Sequence, residues 1–312
     1  MLGSSQRPLS EAYDLAMLDL DGVVYVAGDA VPRAAESLAD ARAQGMRLAF
    51  ITNNASRPPE RVAAQLCDLG IEASADDVVT SAQAAAQVLV DRFGEGARIV
   101  LLGTDGLEQA LRQAGLEPVG ADDDGVAIVT GYGPDVVWSD IMRAAVRIRD
   151  GLPWVASNTD RTFPAAFGVA PGHGVQVEML RAFARVDPVV AGKPERPLLD
   201  ETIRRVGGEH PLMVGDRLDT DIEGARNAGL DSLLVLTGVT GLEELVSAAE
   251  HERPTYLAPD LAGLLTAHAA PHVSGGDHEL DALELVRDPS AHLTAAECHR
   301  PQRLAAGRRL RR

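Results

Sequence analysis

The sequence is poor in cysteine, in aromatic residues and in long apolar runs, and each scarcity excludes a class of protein. Its 312 residues include only two cysteines, Cys67 and Cys298, which excludes a disulfide framework and fits a reducing compartment. Aromatic residues make up 4%, so aliphatic side chains must fill the core. Apolar runs fall short of the ~20 residues that a membrane span needs, and residues 1–14 lack an apolar signal core. We therefore expect a cytoplasmic protein that does not bind membranes.

Lysine is scarcer still. The 29 basic residues are 28 arginines and a single lysine, Lys193. A lysine that persists against this bias indicates a site that needs a compact ammonium rather than a guanidinium, although chance survival on the surface is the alternative. The formal net charge of -17 argues against nucleic acid as a partner. The basic residues at the end of the chain predict a solvated tail rather than a binding site: Arg300, Arg303, Arg308, Arg309, Arg311 and Arg312.

Two carboxylates follow the first apolar run. Residues 15–18 predict a buried parallel strand, and Asp19 and Asp21 come at its end, before Gly22. Ligands of open α/β sheets bind at the carboxyl ends of the strands, so this pair is a candidate for chemistry. The alternative is that both residues only cap a turn.

Other predicted strands end in the same way. Thr52 ends the predicted strand 47–52 and Asn53 follows it, and Lys193 follows 188–191. Asp216 and Asp221 follow the run 211–214. Taken singly, these residues also fit Asx-turns or helix caps. Together they predict one cluster, provided that the first and last strands share a sheet.

The order of elements predicts an α/β protein with an inserted domain. Apolar strands alternate with helical segments along most of the chain, which indicates βαβ units and a parallel sheet. Residues 83–187 carry their own α/β series. We therefore predict a core formed by residues 12–82 and 188–268, an α/β cap at 83–187, and a disordered tail at 269–312.

The chemistry of the clustered groups points to phosphoryl transfer. Carboxylate oxygens suit a hard divalent ion such as Mg²⁺. The ammonium of Lys193 and the hydroxyl of Thr52 suit a phosphate, and a carboxylate can act as a nucleophile. The sequence contains no Gly-x-x-x-x-Gly-Lys-[Ser/Thr], which excludes a P-loop nucleotide enzyme.

Four motifs, in this order, resemble those of the haloacid dehalogenase superfamily: Asp-Leu-Asp-Gly-Val-Val-Tyr, Thr-Asn-Asn, Gly-Lys-Pro-Glu and Gly-Asp-Arg-Leu-Asp-Thr-Asp-Ile. The sequence is most similar to the p-nitrophenylphosphatase-like subfamily and, within it, to bacterial glycerol-3-phosphate phosphatases. The resemblance implies a Rossmann-like, doubly wound parallel sheet with an inserted α/β cap. It also implies a Mg²⁺-dependent phosphatase for small phosphate monoesters.

The resemblance assigns roles to the aspartates. Asp19 would attack phosphorus and form an aspartyl phosphate, and Asp21 would protonate the leaving group and then activate water. Side-chain oxygens of Asp19 and Asp216 and the backbone carbonyl of Asp21 would bind Mg²⁺. Asp221 would support the water shell of the metal.

The remaining implied contacts concern the substrate. Thr52, Asn53 and Lys193 would hold the phosphoryl oxygens. In the cap, we expect contacts to a hydroxylated leaving group from three residues: Asn158, Asp160 and His173. Members of this group often pair through their caps, so a homodimer is a further expectation.

Several substrates and one non-enzymatic role stay open from sequence. Glycerol 3-phosphate is the leading substrate, and phosphoglycolate, nucleoside monophosphates and pyridoxal phosphate are alternatives. A phosphate-ligand sensor that kept the fold without turnover is the non-enzymatic alternative. Both first-motif aspartates, Asp19 and Asp21, are present, which favours the enzyme.

Overall fold

The apolar runs form the strands of a six-stranded parallel sheet. The computed structural model describes residues 2–165 and 167–270, so the predicted tail lies outside the described residues from position 271 onward. The strands are β1 (Leu15–Asp19), β2 (Tyr25–Val26), β3 (Asp29–Ala30), β4 (Arg47–Thr52), β5 (Val78–Thr80), β6 (Arg98–Leu102), β7 (Glu117–Val119), β8 (Ala127–Thr130), β9 (Trp154–Ala156), β10 (Thr162–Ala165), β11 (Gly168–Pro171), β12 (Val189–Val190), β13 (Pro211–Gly215), β14 (Asp231–Val235) and β15 (Tyr256–Ala258).

Helices connect these strands. They are α1 (Leu9–Ala12), α2 (Ala34–Ala43), α3 (Pro59–Asp68), α4 (Ser81–Phe93), α5 (Asp105–Gln113), α6 (Trp138–Arg149), α7 (His173–Ala184), α8 (Pro197–Val206), α9 (Glu223–Ala228) and α10 (Leu242–Ser247). A π-helical turn, Leu218–Ile222, precedes α9. Within the described part of the chain, every helix is too short or too polar to span a lipid bilayer.

The first sheet has the strand order β15-β14-β13-β1-β4-β5, and all its neighbours are parallel. Its strands are buried on both faces, because Ala16 and Leu18 belong to one apolar cluster while Leu15 and Met17 belong to another. This explains why the strands read as continuous apolar runs rather than as alternating patterns. The chain runs outward from β1 in one direction through β4 and β5 and in the other through β13 to β15. The ends of β1 and β13 therefore form a topological switch point.

A second parallel sheet is formed by later residues in the order β12-β9-β8-β6-β7. Helices α6 and α7 cover one face, where Ile148 and Leu180 are buried. The other face shares one apolar cluster with the first sheet, since Met17 and Val129 both belong to it. The predicted fold class, a doubly wound core with an α/β cap, is confirmed.

Some elements were not predicted. Helix α4 lies where we predicted only the start of a new α/β series, and β15 and the antiparallel β10–β11 hairpin lie in segments without an assigned strand. These elements are short, or rich in alanine, so their apolar periodicity is weak.

Candidate active site

Three adjacent strands of the first sheet end in functional residues. β1 lies between β13 and β4, with Leu18 opposite Val214 on one side and Phe50 on the other. Asp19, Thr52 and Asp216 therefore stand at the carboxyl ends of neighbouring strands, as the sequence pattern predicted.

Lys193 joins this cluster from the loop after β12. Its Nζ donates to Asp19 Oδ1 at 2.5 Å and to Asp221 Oδ1 at 2.7 Å. Burial lowers the pKa of Lys193, but the charges of Asp19 and Asp221 outweigh this and hold the pKa above its usual range. The ammonium is therefore permanently charged and fixed against the first aspartate.

Both carboxylate oxygens of Asp221 accept hydrogen bonds from groups of the protein. The π-helical turn directs its side chain back toward the end of β13, where Oδ2 accepts the N–H groups of Asp216 and Arg217, each at 3.1 Å. Its Oδ1 accepts from Lys193. A Cβ at Gly215 would overlap this carboxylate, so that position requires glycine. Asp221 thus orients its neighbours.

Asp216 is arranged differently, with one oxygen left over. Its Oδ2 accepts the N–H of Val239 at 2.7 Å, whereas the buried Oδ1 has no hydrogen-bond partner among the described residues. Burial, followed by the charge of Asp221, raises the pKa of Asp216 to about 6. A Cβ at Gly22 or Gly238 would overlap the carboxylate, and Gly22 also needs a φ of 88°. The backbone therefore closes around this carboxylate.

These groups fit a divalent metal ion. Carboxylate oxygens of Asp19, Asp216 and Asp221 lie within 4.8 Å of one another. Burial raises the pKa of Asp19; Lys193 opposes this shift, and Asp221 and Asp216 add to it. Asp216 Oδ1 and the neighbouring carboxylates offer the oxygen ligands that a hard divalent cation prefers.

Asp21 occupies a more open position than Asp19. Its side chain is exposed, and the backbone behind it is fixed because the N–H of Gly22 donates to the carbonyl of Tyr25 at 2.8 Å. The surrounding protein still displaces enough water to raise the pKa of Asp21, against the opposing charges of Arg57 and Lys193. A carboxyl group with a raised pKa at the mouth of a site can exchange protons with a ligand.

The loop after β4 connects the core to the cap residues. Thr52 is buried, and its Oγ1 accepts the N–H of Asn54 at 3.1 Å, which leaves the hydroxyl proton for another acceptor. The Asn53 side chain donates to Asp160 Oδ1 at 2.9 Å and to the carbonyl of Lys193 at 3.0 Å. Its Oδ1 accepts the N–H of Lys193 at 2.8 Å.

The three predicted cap residues lie together, and two of them, Asn158 and Asp160, contact this loop. Asn158 donates to the carbonyl of Asn53 at 2.7 Å, and its Oδ1 accepts the N–H of Asp160 at 3.1 Å. His173 Nδ1 donates to the carbonyl of Asn158 at 2.8 Å, while its buried Nε2 has no partner within the described residues. Burial lowers the pKa of His173 to about 4, so the ring is neutral near pH 7.

Sequence reasoning missed several supporting residues. Val239 and Gly238 hold Asp216, Ser81 Oγ donates to the carbonyl of Asn53 at 2.5 Å, and Arg57 is a charge near Asp21. One signal was available, because Gly238 follows β14 at the same edge of the sheet as the other strand-end residues. The contact of Ser81 depends on the tertiary fold and has no local signal.

The doubly wound sheet with a cap, and the buried lysine among aspartates at the switch point, fit an enzyme that acts on phosphate esters. Family models agree: one for haloacid dehalogenase-like hydrolases matches residues 16–117, and one described as HAD-hydrolase-like matches residues 190–264. The chain belongs to the haloacid dehalogenase-like hydrolase family.

Individual relatives narrow the comparison. The chain is 44% identical over 259 residues to a D-glycerol 3-phosphate phosphatase of Mycobacterium tuberculosis, covering 83% of this chain and 72% of the relative. It is similar to the crystal structure of a glycerol phosphate phosphatase of that organism in complex with magnesium, with a TM-score of 0.81, 43% identity, and coverage of 86% and 82%. A 4-nitrophenylphosphatase structure from Thermotoga maritima gives a TM-score of 0.76 at 30% identity, with coverage of 82% and 98%. The predicted family is thus confirmed.

Proposed function

We propose that this protein is a Mg²⁺-dependent phosphatase that hydrolyses small phosphate monoesters through an aspartyl phosphate on Asp19. The observation that carries the proposal is the position of Lys193, which donates hydrogen bonds to Asp19 and Asp221. Nearby, Asp216 Oδ1 has no hydrogen-bond partner in the part of the chain that the structure describes. In this proposal, Asp19 is the nucleophile, Lys193 is the fixed cation and Asp216 is a metal ligand, and all three lie close together. The relatives reported above support the same class of reaction.

In the first step, an oxygen of Asp19 forms a bond to phosphorus while the ester P–O bond breaks. Asp21 gives its proton to the departing alkoxide, which leaves as the alcohol. In the second step, Asp21 takes a proton from water as the water oxygen attacks phosphorus. The bond to Asp19 then breaks, which releases phosphate and restores the carboxylate.

Charge is the main obstacle, since an anionic nucleophile must approach a dianionic substrate. Lys193 offsets part of the repulsion, and Thr52 and the Asn53 loop are proposed to hold the other phosphoryl oxygens. Asp19, the carbonyl of Asp21 and Asp216 are the proposed metal ligands, with Asp221 orienting the groups around them. A bound Mg²⁺ supplies further positive charge that favours attack on the phosphate.

Glycerol 3-phosphate is the proposed substrate, because the relative with 44% identity carries that activity in its name. Phosphoglycolate, nucleoside monophosphates and pyridoxal phosphate are the alternatives. Asn158, Asp160 and His173 are proposed to lie on the leaving-group side of the site. The division into a core at 12–82 and 188–268 and a cap at 83–187 is part of the same proposal. The two separate sheets support an inserted cap, but β12 pairs with β9, so the second sheet extends past residue 187 to Val190. The cytoplasm is the proposed location.

We also propose that two copies pair through the cap. Helix α6 exposes Trp138, Met142 and Val146, which are spaced four residues apart and therefore lie along one face of the helix. Exposed apolar stripes of this kind are typical of interaction surfaces.

The test of the function is phosphate release with Mg²⁺ and with EDTA. Wild-type protein should release phosphate from p-nitrophenyl phosphate only with Mg²⁺, and Asp19→Asn should abolish release. The matched control is Asp187→Asn, an exposed aspartate after α7 that pairs with Arg181. Comparing kcat/KM across a monoester panel then tests glycerol 3-phosphate. Absence of turnover on the whole panel would favour the phosphate sensor instead.

A further inference from the structure

The amide of Asn53 is fully occupied by contacts within the protein. A side-chain amide offers two N–H donors and one oxygen. Both donors are used, one on Asp160 Oδ1 and one on the carbonyl of Lys193, and the oxygen accepts the N–H of Lys193. Asn53 therefore contacts both the N–H and the carbonyl of Lys193, and its remaining donor contacts Asp160 in the cap.

The fit around these contacts is tight. A Cβ at Gly192 would lie 2.6 Å from Asn53 Oδ1 and 2.8 Å from the carbonyl of Ser157. The glycine before Lys193 is thus explained by the close approach of Asn53 and of the cap loop, which is formed by residues 157–161 between β9 and β10. The loop is itself fastened to the core, because Asn158 donates to the carbonyl of Asn53.

Asp160 is the cap residue that completes the arrangement. Its Oδ1 accepts from Asn53 and its N–H donates to Asn158 Oδ1, so the carboxylate has a fixed direction. Without that acceptor, one donor of a buried amide would lose its partner, and the amide would rotate to find another. Such a rotation would release the backbone of Lys193, whose Nζ stands 2.5 Å from Asp19.

We propose that Asp160 is a positioning residue: through Asn53 it fixes the backbone of Lys193, so the cap loop sets the rate of phosphoryl transfer for every substrate. This inference rests on the proposed phosphatase function. It differs from a substrate contact because the effect passes through the phosphate side of the site, which all monoesters share. What Asp160 contributes is an acceptor atom rather than a charge.

The test compares two substitutions of one residue. Asp160→Ala removes the acceptor and should lower kcat about ten- to a hundredfold, since small misplacements of catalytic groups cost this much. The factor should be the same for p-nitrophenyl phosphate and glycerol 3-phosphate, and inhibition by orthophosphate should weaken in parallel. Asp160→Asn keeps an oxygen acceptor, so it replaces a hydrogen bond to a charged oxygen with one to a neutral oxygen. Its activity should therefore lie within about threefold of wild type. Asp187→Ala controls for loss of an acidic residue in the same part of the chain.

A double substitution provides a second measurement. Asn53→Ala should lower kcat at least as much as Asp160→Ala, because it also removes both contacts to the backbone of Lys193. The two substitutions together should cost little more than Asn53→Ala alone, because Asp160 acts through Asn53. Melting temperatures establish that each variant is folded, and Asp160→Leu, which also lacks an acceptor, replaces the alanine variant if that one does not fold.

The inference would be overturned by additive losses, by an asparagine variant as impaired as the alanine variant, or by a loss confined to glycerol 3-phosphate. A wild-type protein without any phosphatase activity would instead reject the proposed function itself.

Discussion

At the scale of the residue, Asp216 suits a bound metal ion but lowers the folding stability of the metal-free protein. A carboxylate with a raised pKa is destabilising once it ionises. The contribution is absent below the unfolded pKa of 3.8, and stability is lost as the pH rises through about 6. The shift corresponds to about 3 kcal/mol at neutral pH. Binding of a metal ion would restore part of this free energy of unfolding, because the ion binds only the folded protein.

Asp216→Asn should therefore stabilise the metal-free protein while abolishing its response to metal. Without Mg²⁺ at pH 7.5, we expect the variant to melt about 2–6 °C above wild type. Added Mg²⁺ should raise the melting temperature of wild type and leave that of the variant unchanged. The matched control is Asp219→Asn, an exposed aspartate in the same loop that pairs with Arg217. An equal response to Mg²⁺ in Asp216→Asn and wild type would contradict the assignment of the metal site.

The predictability of the site also differs from residue to residue. Asp19, Thr52, Lys193 and Asp216 could be found because each follows an apolar run, and parallel strands bring their carboxyl ends to one edge. The engagement of the Asn53 side chain could not be found. It depends on Asp160, which lies 107 positions further along the chain, and no local pattern encodes that contact.

At the scale of the element, sequence served the buried strands better than the short edge pieces. Strands such as β1 and β13 are buried on both faces, so an apolar run is enough to predict them. β15 has three residues and lies at the edge of the sheet, where burial leaves a weaker pattern. The start of α7 is a further case: the Pro-Gly-His-Gly sequence at 171–174 indicates a turn, yet His173 is the first residue of the helix and is buried there.

The pKa of His173 makes the start of α7 sensitive to acid. Because the folded pKa is about 4 and the unfolded value is 6.5, the unfolded chain binds a proton first as the pH falls. The stability is complete above pH 6.5 and declines toward pH 4, by about 2 kcal/mol at pH 5. His173→Asn keeps a donor for the carbonyl of Asn158 and removes the titration.

Denaturant unfolding at pH 7.5 and pH 5 measures this difference. Wild type should lose about 2 kcal/mol more than His173→Asn between the two pH values, while carboxylates contribute equally to both proteins. His251→Asn, at an exposed histidine, is the matched control. Equal losses in wild type and His173→Asn would show that the histidine is not the acid-sensitive group.

At the scale of the whole molecule, the two sheets are joined by a shared core as well as by the polar contacts of Asn53. One apolar cluster contains Ile51 of the first sheet and Val155 of the second. The packing therefore supports the polar linkage in which the cap loop contacts Asn53 and Asn53 contacts the backbone of Lys193. The apolar surface of α6 lies on the covering layer of the second sheet, which leaves the shared core intact whatever binds to that helix.

The pairing proposal makes a prediction about mass. Wild type should sediment as a species of twice the 32.9 kDa chain. A stable interface buries about 800 Å² per partner, which requires an apolar surface such as the α6 stripe rather than one exposed side chain. Met142 is 51% exposed in the middle of the α6 stripe, so Met142→Glu should place two buried charges in the interface and shift the protein to monomer at micromolar concentration. Activity on p-nitrophenyl phosphate should persist, since the aspartates, Thr52 and Lys193 all come from one chain.

Val126→Glu changes a similarly exposed valine outside α6 and should remain dimeric. A monomeric wild type, or a dimeric Met142→Glu protein, would reject α6 as the pairing surface.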